Sequence, residues 1–338
     1  METERLGARG TWIERFRRLL DRIDGEGPND PRFAVVLAER AVDIARKAPA
    51  EVSTEAVWRA LAIYGGALRF AERFVESKAA ALASWSALHA GRPVSRADEA
   101  ELCGRLAFLL RDLRECEEAK VMADRKVQLA QSPQEKAKAL LDLCLVLWDA
   151  GDADWASIRE NGRRALALLD PVQEPAYYRA ALQMVLVGSA EDETFAEAGL
   201  EALLRQYCKE ETAQPGSYGY ANQLWIVGLV TRRLGQADQA RGAFQEAQSI
   251  FLSLSNHVRA AVVTMELAIL ELESGRNAEV LRLAGELFPF FQAVRHRSRE
   301  AWASLALFCQ AALEGRLTAG AAKQYKASFL RQASREGQ

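Results

Sequence analysis

The feature that most constrains this chain is a turn that recurs about every forty residues. An apolar helical run comes before each turn and a second amphipathic run follows it, as in residues 224–251 around Gly235. A helical pair cannot bury its apolar face alone and gains stability by stacking on its neighbours. The period therefore predicts a stack of two-helix modules. The turns are expected at Glu72, Arg114, Gly151, Glu191, Gly235, Gly275 and Gly315.

Mostly small side chains recur at fixed distances from these turns. Two helices joined by a tight turn approach closely only where their side chains are small. We expect one such position seven residues before each turn and another five residues after it, while bulk such as Phe244 serves the docking of the next hairpin. The earlier positions are Gly65, Ala107, Cys144, Met184, Gly228, Ala268 and Phe308, and the later ones are Ser77, Ala119, Ala156, Ala196, Ala240, Val280 and Gly320.

The composition favours helices from end to end. Ala, Leu, Arg and Glu, all strong helix formers, are abundant, and long runs of β-branched residues are missing. A hydrophobic content of 49% over 338 residues can form one large core or a series of linked small ones. With 44 basic and 46 acidic residues, the net charge of −2 gives no support for binding nucleic acids or membranes by bulk attraction. The chain is predicted to be all-α.

One unit carries a family resemblance. Gly228, Gly235, Ala240, Phe244 and Ala247 match, in order, the small, turn, small, aromatic and small positions of the tetratricopeptide repeat (TPR) family, which the chain resembles. The resemblance implies an α-solenoid, a right-handed superhelix of about seven to eight helix-turn-helix repeats. The period is nearer 40 than the usual 34 residues of the family, as in MalT-like bacterial regulatory arrays.

A second resemblance covers residues 270–312. This stretch is similar to the end of acidobacterial-type repeat proteins, through Gly275, Arg276, Glu279 and Val280 at a turn and through His296, Glu300 and Ala301 further on. Members of that group carry an N-terminal zinc finger or a helix-turn-helix, and this chain has neither motif. The regulatory role that those modules imply is thus left open.

Three regions are expected along the chain. Residues 1–50 are predicted to form an irregular N-terminal helical hairpin that caps the array, 51–315 the TPR-like array, and 316–338 a C-terminal capping helix. The breaker-rich stretch 211–220 predicts a possible bend within the array. The two helices of the N-terminal hairpin are expected at 11–24 and 31–48.

No motif in the sequence indicates catalysis. A GxxxxGK loop, a GxSxG elbow, an HExxH helix and a GxGxxG turn are all missing. A zinc site needs three or four converging ligands, whereas His89, His257 and His296 lie in different repeats without ligand spacing. We therefore expect no enzyme activity, no metal and no cofactor.

The cysteines and the hydropathy pattern bear on the compartment. Five scattered cysteines without a CxxC pair predict reduced, mostly buried thiols in a cytoplasmic protein. The charged start has no signal-peptide pattern, and the longest apolar run, residues 224–230, is too short to cross a bilayer. The cysteines are Cys103, Cys116, Cys144, Cys208 and Cys309.

The family resemblance also implies where a partner would bind. In TPR arrays the first helix of each hairpin lines a concave groove, and arginines interleaved with aromatics there suit a protein or peptide with acidic or carboxylate-bearing groups. The alternative interpretation is that the arginines are solvated and the tryptophans belong to the core. The candidate binding residues are Arg59, Arg69, Arg111, Lys138, Trp148, Tyr178, Asn222, Trp225, Arg232 and Arg233.

Three hypotheses for function stay open at this stage. The first is a non-catalytic scaffold or adaptor that recognises a protein or peptide in the groove. The second is a regulator of transcription, stress or defence that acts on a sigma factor or an effector, and it depends on the MalT-like spacing. The third is binding of single-stranded RNA through stacked aromatics and arginines, which the balanced net charge disfavours.

Overall fold

The computed structural model describes residues 2–26, 31–48, 50–71, 73–90, 94–113, 115–149, 154–191, 197–209, 214–254, 256–287 and 299–333. Within these ranges the chain forms helices and no strand, which confirms the all-α prediction. The helices are α1 (Glu2–Glu26), α2 (Pro31–Arg46), α3 (Ala50–Phe70), α4 (Phe74–Leu88), α5 (Arg96–Asp112), α6 (Cys116–Leu129), α7 (Pro133–Asp149), α8 (Trp155–Leu166), α9 (Pro175–Ala190), α10 (Glu197–Lys209), α11 (Tyr218–Arg233), α12 (Ala237–Ser253), α13 (His257–Glu273), α14 (Asn277–Glu286), α15 (Arg299–Leu313) and α16 (Ala319–Ala333).

The helices form hairpins that are layered along the sequence in each of two compact units. Unit 1, within Met1–Gln131, contains α1 and α2 and the hairpins α3–α4 and α5–α6; α2 packs on α3, and α4 packs on α5. Unit 2, within Ser132–Glu336, contains the hairpins α7–α8, α9–α10, α11–α12, α13–α14 and α15–α16. Each of these hairpins also contacts the next one in its unit. The predicted stacking of two-helix modules is therefore present in both units.

Three of the predicted turns have the same glycine geometry. Gly235, Gly275 and Gly315 have φ angles of 72°, 71° and 67°, in the left-handed region that favours glycine. At Gly235 the amide of Gln236 donates to the carbonyl of Thr231, and the other two turns repeat this bond five residues back. These bonds satisfy carbonyls that the helix end leaves without partners. The turns end α11, α13 and α15.

Two of the other predicted turns are described only through the residues next to them. Glu72, Arg114 and Gly151 lie outside the described residues, and Glu191 follows the last residue of α9. Next to the first two turns, the amide of Arg73 donates to Leu68 and that of Glu115 donates to Leu110, the same spacing as at the glycine turns. The repeat therefore keeps its hydrogen-bond geometry where the glycine is missing.

Close helix contacts occur at the predicted small positions, with one difference. A Cβ on Gly65 would lie 3.4 Å from the carbonyl oxygen of Ser77, whose hydroxyl donates to the Gly65 carbonyl at 2.7 Å. Gly228 instead faces Phe244, and a Cβ there would lie 2.5 Å from the ring. Assigning the bulk of Phe244 only to the next hairpin was wrong, because its ring fills the space above Gly228 in its own hairpin.

The N-terminal segment contains two helices, of which the first is longer than expected. Helix α1 covers the helix expected at 11–24, and α2 covers most of the helix expected at 31–48. Both helices pack against α3. Phe16, Leu20 and Ile23 of α1 are buried with the alanine-rich face of α2. The proposed bend at 211–220 stays a prediction, since 210–213 lie outside the described residues.

Unit 2 begins with a reciprocal helix cap. The amide of Glu135 donates to the hydroxyl of Ser132 at 3.1 Å, and the amide of Ser132 donates to the Glu135 carboxylate at 3.2 Å. Pro133, the first residue of α7, has no amide hydrogen that would need a partner there. This capping box starts α7 without help from residues further along the chain.

Candidate functional site

The ten residues predicted to bind a partner all lie on the first helices of hairpins. In each unit, we call the surface along which these residues lie on the first helices the first-helix face. Arg59 and Arg69 lie on α3, Arg111 on α5, Lys138 and Trp148 on α7, Tyr178 on α9, and Asn222, Trp225, Arg232 and Arg233 on α11. Whether they bind a partner remains a prediction, but their surroundings are now defined.

Arg59 joins the first two hairpins of unit 1 by charge. Its guanidinium donates to Asp98 at 2.7 Å and to Glu101 at 2.8 Å, both on α5, and to Glu55 of its own helix at 3.3 Å. The same group lies 4.4 Å from the ring centroid of Trp58. The side chain is therefore held in place by partners on both helices, as a recognition surface requires.

Two more predicted arginines share one carboxylate. Arg69 of α3 donates to Asp112 of α5 at 2.7 Å, and Arg111 donates to the other oxygen of Asp112 at 2.9 and 2.7 Å. The Arg111 guanidinium also lies 5.0 Å from the ring centroid of Phe108. Together with the contacts of Arg59, this second link between α3 and α5 places a row of paired charges along these two helices.

A third charged link comes from Arg105, which the sequence analysis did not select. Its two terminal nitrogens donate to the two oxygens of Asp24 at 3.1 and 2.9 Å, a bidentate pair. Its Nε lies 3.4 Å from Glu101. Burial alone would lower the pKa of Arg105, but the hydrogen bond and charge of Asp24, together with Glu101, outweigh it and raise the pKa. Arg105 is therefore always charged.

A cleft of about 360 Å³ opens beside Arg105. A Cβ on Gly66 would lie 3.6 Å from Arg105 Nη1 and 3.7 Å from Asp24, and one on Gly104 would lie 2.8 Å from Lys126 Nζ. The missing side chains thus make room for the charged groups. This volume is within the range of ligand pockets. The cleft is lined by Asp24, Ala62, Gly65, Gly66, Arg69, Ser77, Ala81, Glu101, Leu102, Gly104, Arg105, Phe108, Leu109 and Lys126.

Unit 2 surrounds its predicted residues differently. Lys138 Nζ lies 3.6 Å from Glu174 and 4.3 Å from the ring centroid of Tyr177. The hydroxyl of Tyr178 accepts a hydrogen bond of 2.8 Å from Gln206 on α10. These contacts tie the starts of α7 and α9 to neighbouring elements of the same unit.

Three tryptophans meet in unit 2. The ring centroid of Trp148 lies 5.7 Å from that of Trp225 and 6.4 Å from that of Trp155. Trp225 is 4% exposed and packs in the core, with the Arg259 guanidinium 5.4 Å from its ring centroid. The alternative interpretation, tryptophan as core, thus describes the position of Trp225, while Trp148 is half-buried at the edge of the cluster.

Arg232 belongs to a buried charge cluster. It donates to Glu266 of α13 at 2.7 Å, and Lys326 of α16 donates to the other oxygen of Glu266 at 2.6 Å. Glu266 is 0% exposed, and the side chains of Arg232 and Lys326 are each 11% exposed. Burial alone would raise the pKa of Glu266, but the charges of Lys326 and Arg232 outweigh it and lower the pKa. The carboxylate therefore stays ionised in the core.

Arg105 and Glu266 occupy the same position of the repeat, and the sequence analysis missed both. Each stands nine residues before a turn, at Arg114 and at Gly275. The groove positions were chosen three, ten and thirteen residues before the turn, so this position was passed over. The signal that could have found Glu266 is a lone charge within the apolar run of residues 260–270, because an isolated buried charge needs a partner.

The arginines and lysines of the first-helix faces are matched by carboxylates. Arg59, Arg105 and Arg232 each have at least one carboxylate within 3.1 Å, and Asn222 and Arg233 are partly exposed on α11. A ligand carboxylate would have to compete with these internal partners. These paired charges do not give the excess of positive charge that nucleic acid binding uses.

Three of the cysteines are buried in the helical core. Cys103, Cys144 and Cys309 are buried, as predicted, and burial raises their pKa values to about 11, about 12 and about 12. They are therefore neutral thiols at ordinary pH, and thiols rather than thiolates are poor nucleophiles. Cys116 is half-buried and Cys208 is exposed.

The remaining candidate groups add no ligand set. His89 Nδ1 lies 2.8 Å from the carbonyl oxygen of Trp85, His257 starts α13, and His296 lies outside the described residues. Among the residues that the structure describes, no group of three His, Cys, Asp or Glu side chains could hold a metal ion. In the same part of the chain, every helix is too short or too polar to cross a membrane.

Comparisons of sequence leave the family open. No family description matches the chain, and no curated protein matches it in sequence. The similarity that exists is therefore one of structure.

Several solved structures share the fold. A Rap protein complexed with Competence and Sporulation Factor has a TM-score of 0.61 at 12% identity, covering 90% of this chain and 87% of that one. The apo form of RapI has a TM-score of 0.56 at 12% identity, covering 89% and 85%. BtubC (BKLC) from P. vanneervenii has a TM-score of 0.52 at 11% identity, covering 65% and 91%. This chain is thus similar to Rap proteins in fold, and its TPR-like helical repeat fold is confirmed.

Proposed function

We propose that this protein is a non-catalytic adaptor that binds a peptide, or an extended segment of a partner protein, on its first-helix face. The observation that carries the proposal is the cleft of about 360 Å³ in unit 1. Charged groups from α1, α3 and α5 converge there beside apolar side chains of α4 and α5. A site of this composition suits a peptide, which presents amide donors and acceptors between its side chains.

The internal ion pairs favour a ligand of mixed charge. Arg105 is fixed by Asp24 and Glu101, and Arg59 by Asp98 and Glu101, so little side-chain freedom is lost when a ligand binds. Because these charges already compensate one another, a neutral or mixed-charge segment can use their remaining lone pairs and N–H groups. A strongly acidic partner is the alternative, in which a ligand carboxylate replaces Asp24 on Arg105.

A regulatory role belongs to the same proposal. One protein of similar fold was solved as a complex with Competence and Sporulation Factor, which supports looking for a ligand of this chain as well. The MalT-like spacing and the expected cytoplasmic location are further parts of this proposal. The regulator would act by changing its partner contacts when the peptide binds, and no reaction would be catalysed.

A cleft-filling substitution tests the proposal. Peptides selected from a random display library on the wild-type protein are measured against Gly66→Leu, whose new side chain enters the cleft beside Arg105. The matched control is Gly242→Leu on α12, where a Cβ meets nothing within 4 Å. Both changes replace a helical glycine by a strong helix former, so both should leave the fold intact.

We expect Gly66→Leu to weaken binding of the selected peptides about tenfold or more, the loss of about 1.4 kcal/mol. Gly242→Leu should bind them as the wild type does. Equal binding by all three proteins would mean that the peptides bind outside the cleft. Failure of the library to yield any binder would count against a peptide ligand.

A further inference from the structure

Helix α16 departs from the pattern of the other second helices. In the hairpins before it, the second helix packs on its own first helix and, in most cases, on the first helix of the following hairpin. Helix α16 packs on α15 and also reaches back to α13, the first helix of the preceding hairpin. It therefore covers part of the face that the other first helices use for charged contacts.

Charged contacts show which face of unit 2 is covered. Lys326 Nζ lies 2.6 Å from Glu266, the carboxylate that also binds Arg232 of α11, and 4.0 Å from Glu191 at the end of α9. Lys326 of α16 thus lies close to charged residues of three first-helix elements, α9, α11 and α13. Arg232 is one of the residues predicted for the partner-binding groove. Helix α16 therefore lies on the first-helix face of unit 2.

The covered helix has no exposed side. Every residue of α13 from Ala260 to Glu271 is buried. A helix buried all round is typical of the centre of a protein. Helix α16 packs on α13 and contributes to this burial.

Two lysines give α16 its register. Lys323 Nζ lies 3.1 Å from Glu273, near the end of α13, and Lys326 binds Glu266 two turns earlier. Residues three apart lie on the same side of a helix, so both lysines project together towards α13. The pair of Lys323 and Glu273 is partly exposed, whereas that of Lys326 and Glu266 is buried. A buried ion pair specifies register better than it adds stability, because desolvation offsets much of the attraction.

A few apolar side chains anchor α16 beside its lysines. Among its described side chains, Ala322 and Phe329 are buried, and Ser328 pairs with Ser304 of α15 at 2.8 Å. The half-buried Ala321 and Tyr325 also pack against the core of unit 2. The helix thus has the form of a ligand on a prepared surface, and its main anchors follow the pattern Ala322, Lys323, Lys326 and Phe329.

We propose that the first-helix face of unit 2 is a docking site for a lysine-bearing amphipathic helix, and that α16 occupies it as an internal ligand. The partner that displaces α16 carries two lysines three residues apart, followed after three residues by an aromatic residue. Glu266, Glu273 and Glu191 receive the lysines, and the aromatic ring takes the place of Phe329. This inference goes beyond the adaptor function, and it does not depend on the cleft in unit 1.

Hydrogen exchange on the intact chain tests whether α16 opens. We expect amides of 319–333 to exchange at least about tenfold faster than those of 260–271, because α16 opens while the core of unit 2 stays folded. Equal, slow exchange of both segments would overturn the proposal, since α16 would then be part of one cooperative core.

A binding experiment tests the site itself. The probe is a fluorescent synthetic peptide of residues 317–333, titrated with the full-length wild type and with a full-length double variant, Lys326→Ala with Phe329→Ala. The variant weakens the internal helix and should bind the peptide about tenfold or more tightly than the wild type. Gln324→Ala, an exposed change on the same helix, is the matched control and should bind as the wild type does.

Further outcomes of this experiment decide the case. Adding Glu266→Gln to the double variant should abolish the gain, and a peptide with glutamates in place of both lysines should not bind. Equal binding by the wild type and the double variant, with helix content retained, would overturn the proposal. So would loss of the folded state in the double variant, because α16 would then be required for folding. The cleft variant Gly66→Leu should leave this binding unchanged, which separates this site from the adaptor function.

Discussion

Unit 1 and unit 2 place a charge at the same position of the repeat and surround it in opposite ways. Arg105 stands beside an open cleft, 26% exposed, with its partner Asp24 37% exposed. Glu266 is fully buried between Arg232 and Lys326. The difference shows that the elements packed outside a first helix, more than its local sequence, decide whether this position belongs to a surface or to a core.

The largest difference between the units should appear when each charge cluster loses a carboxylate. Glu266→Ala leaves Arg232 and Lys326 buried without their shared partner, which typically costs about 3–5 kcal/mol. Asp24→Ala removes a pair that is partly exposed and should cost less than about 1 kcal/mol. Urea unfolding measures the loss of stability. Hydrogen exchange of the amides of 260–271 and 102–110 then assigns this loss to unit 2 or to unit 1. Similar losses of stability in both units would contradict this difference between a buried and a partly exposed charge cluster.

The second difference concerns close helix contacts. Gly228→Ala places a Cβ 2.5 Å from the ring of Phe244 and should destabilise unit 2 by about 1–3 kcal/mol through overpacking. Gly65→Ala places its Cβ 3.4 Å from Ser77 O, and the gain of up to about 1 kcal/mol in helix propensity should nearly offset the crowding. Thermal unfolding distinguishes the two. Gly228→Ala combined with Phe244→Leu should recover most of the loss, and no recovery would place the strain elsewhere.

A smaller difference concerns how helices begin. Ser132→Ala combined with Glu135→Ala removes both bonds of the capping box that starts α7 in unit 2 and should cost about 1–2 kcal/mol. Ser95→Ala removes the single cap that Ser95 gives the Asp98 amide in unit 1 and should cost about 0.5–1 kcal/mol. Urea midpoints measure both effects. Equal midpoints for the two variants would mean that the reciprocal bond adds nothing.

The last comparison uses pH instead of mutation. Burial would raise the pKa of Glu55 in unit 1, but its hydrogen bond to Arg17 and the charges of Arg17 and Arg59 lower it, and the pKa of Glu266 is lowered as described above. A lowered carboxyl pKa adds stability above the unfolded value of about 4.3, and this stability is lost as pH falls through the folded pKa.

Both units should therefore lose stability on acidification below about pH 4.3, and neither loss should begin near neutral pH. The stability gap between the wild type and Glu266→Ala should narrow as the pH falls. Urea unfolding at a series of acidic pH values checks this. A gap that widens in acid would mean that Glu266 is protonated in the folded protein.

Much of the fold follows from the turn pattern. The glycines at 235, 275 and 315 fall at the turns that their spacing predicted, in a left-handed conformation that few other residues tolerate. Gly65 meets Ser77 as two close helices require. These features are local, and they repeat, so a single sequence reveals them.

The charged contacts were less accessible to sequence analysis. Arg105 finds Asp24 from a helix 81 residues away, and Lys326 finds Glu266 at a separation of 60. Periodicity gives the face of a helix but not the partner that covers it. The return of α16 to α13 depends on tertiary packing, which no turn signal encodes, so Arg232 could be placed on a first helix but its partners could not be predicted.

The tryptophan cluster of unit 2 has a spectroscopic consequence. Indole rings with centroids 5.7 Å apart and planes inclined by 32°, as in Trp148 and Trp225, couple their electronic transitions. Such coupling adds an exciton band to the far-ultraviolet circular dichroism, where the backbone signal of α-helices is also read. Helix content deduced from that spectrum would be biased as long as the indoles stay together, and the band would vanish when their packing is lost, even where the helices survive.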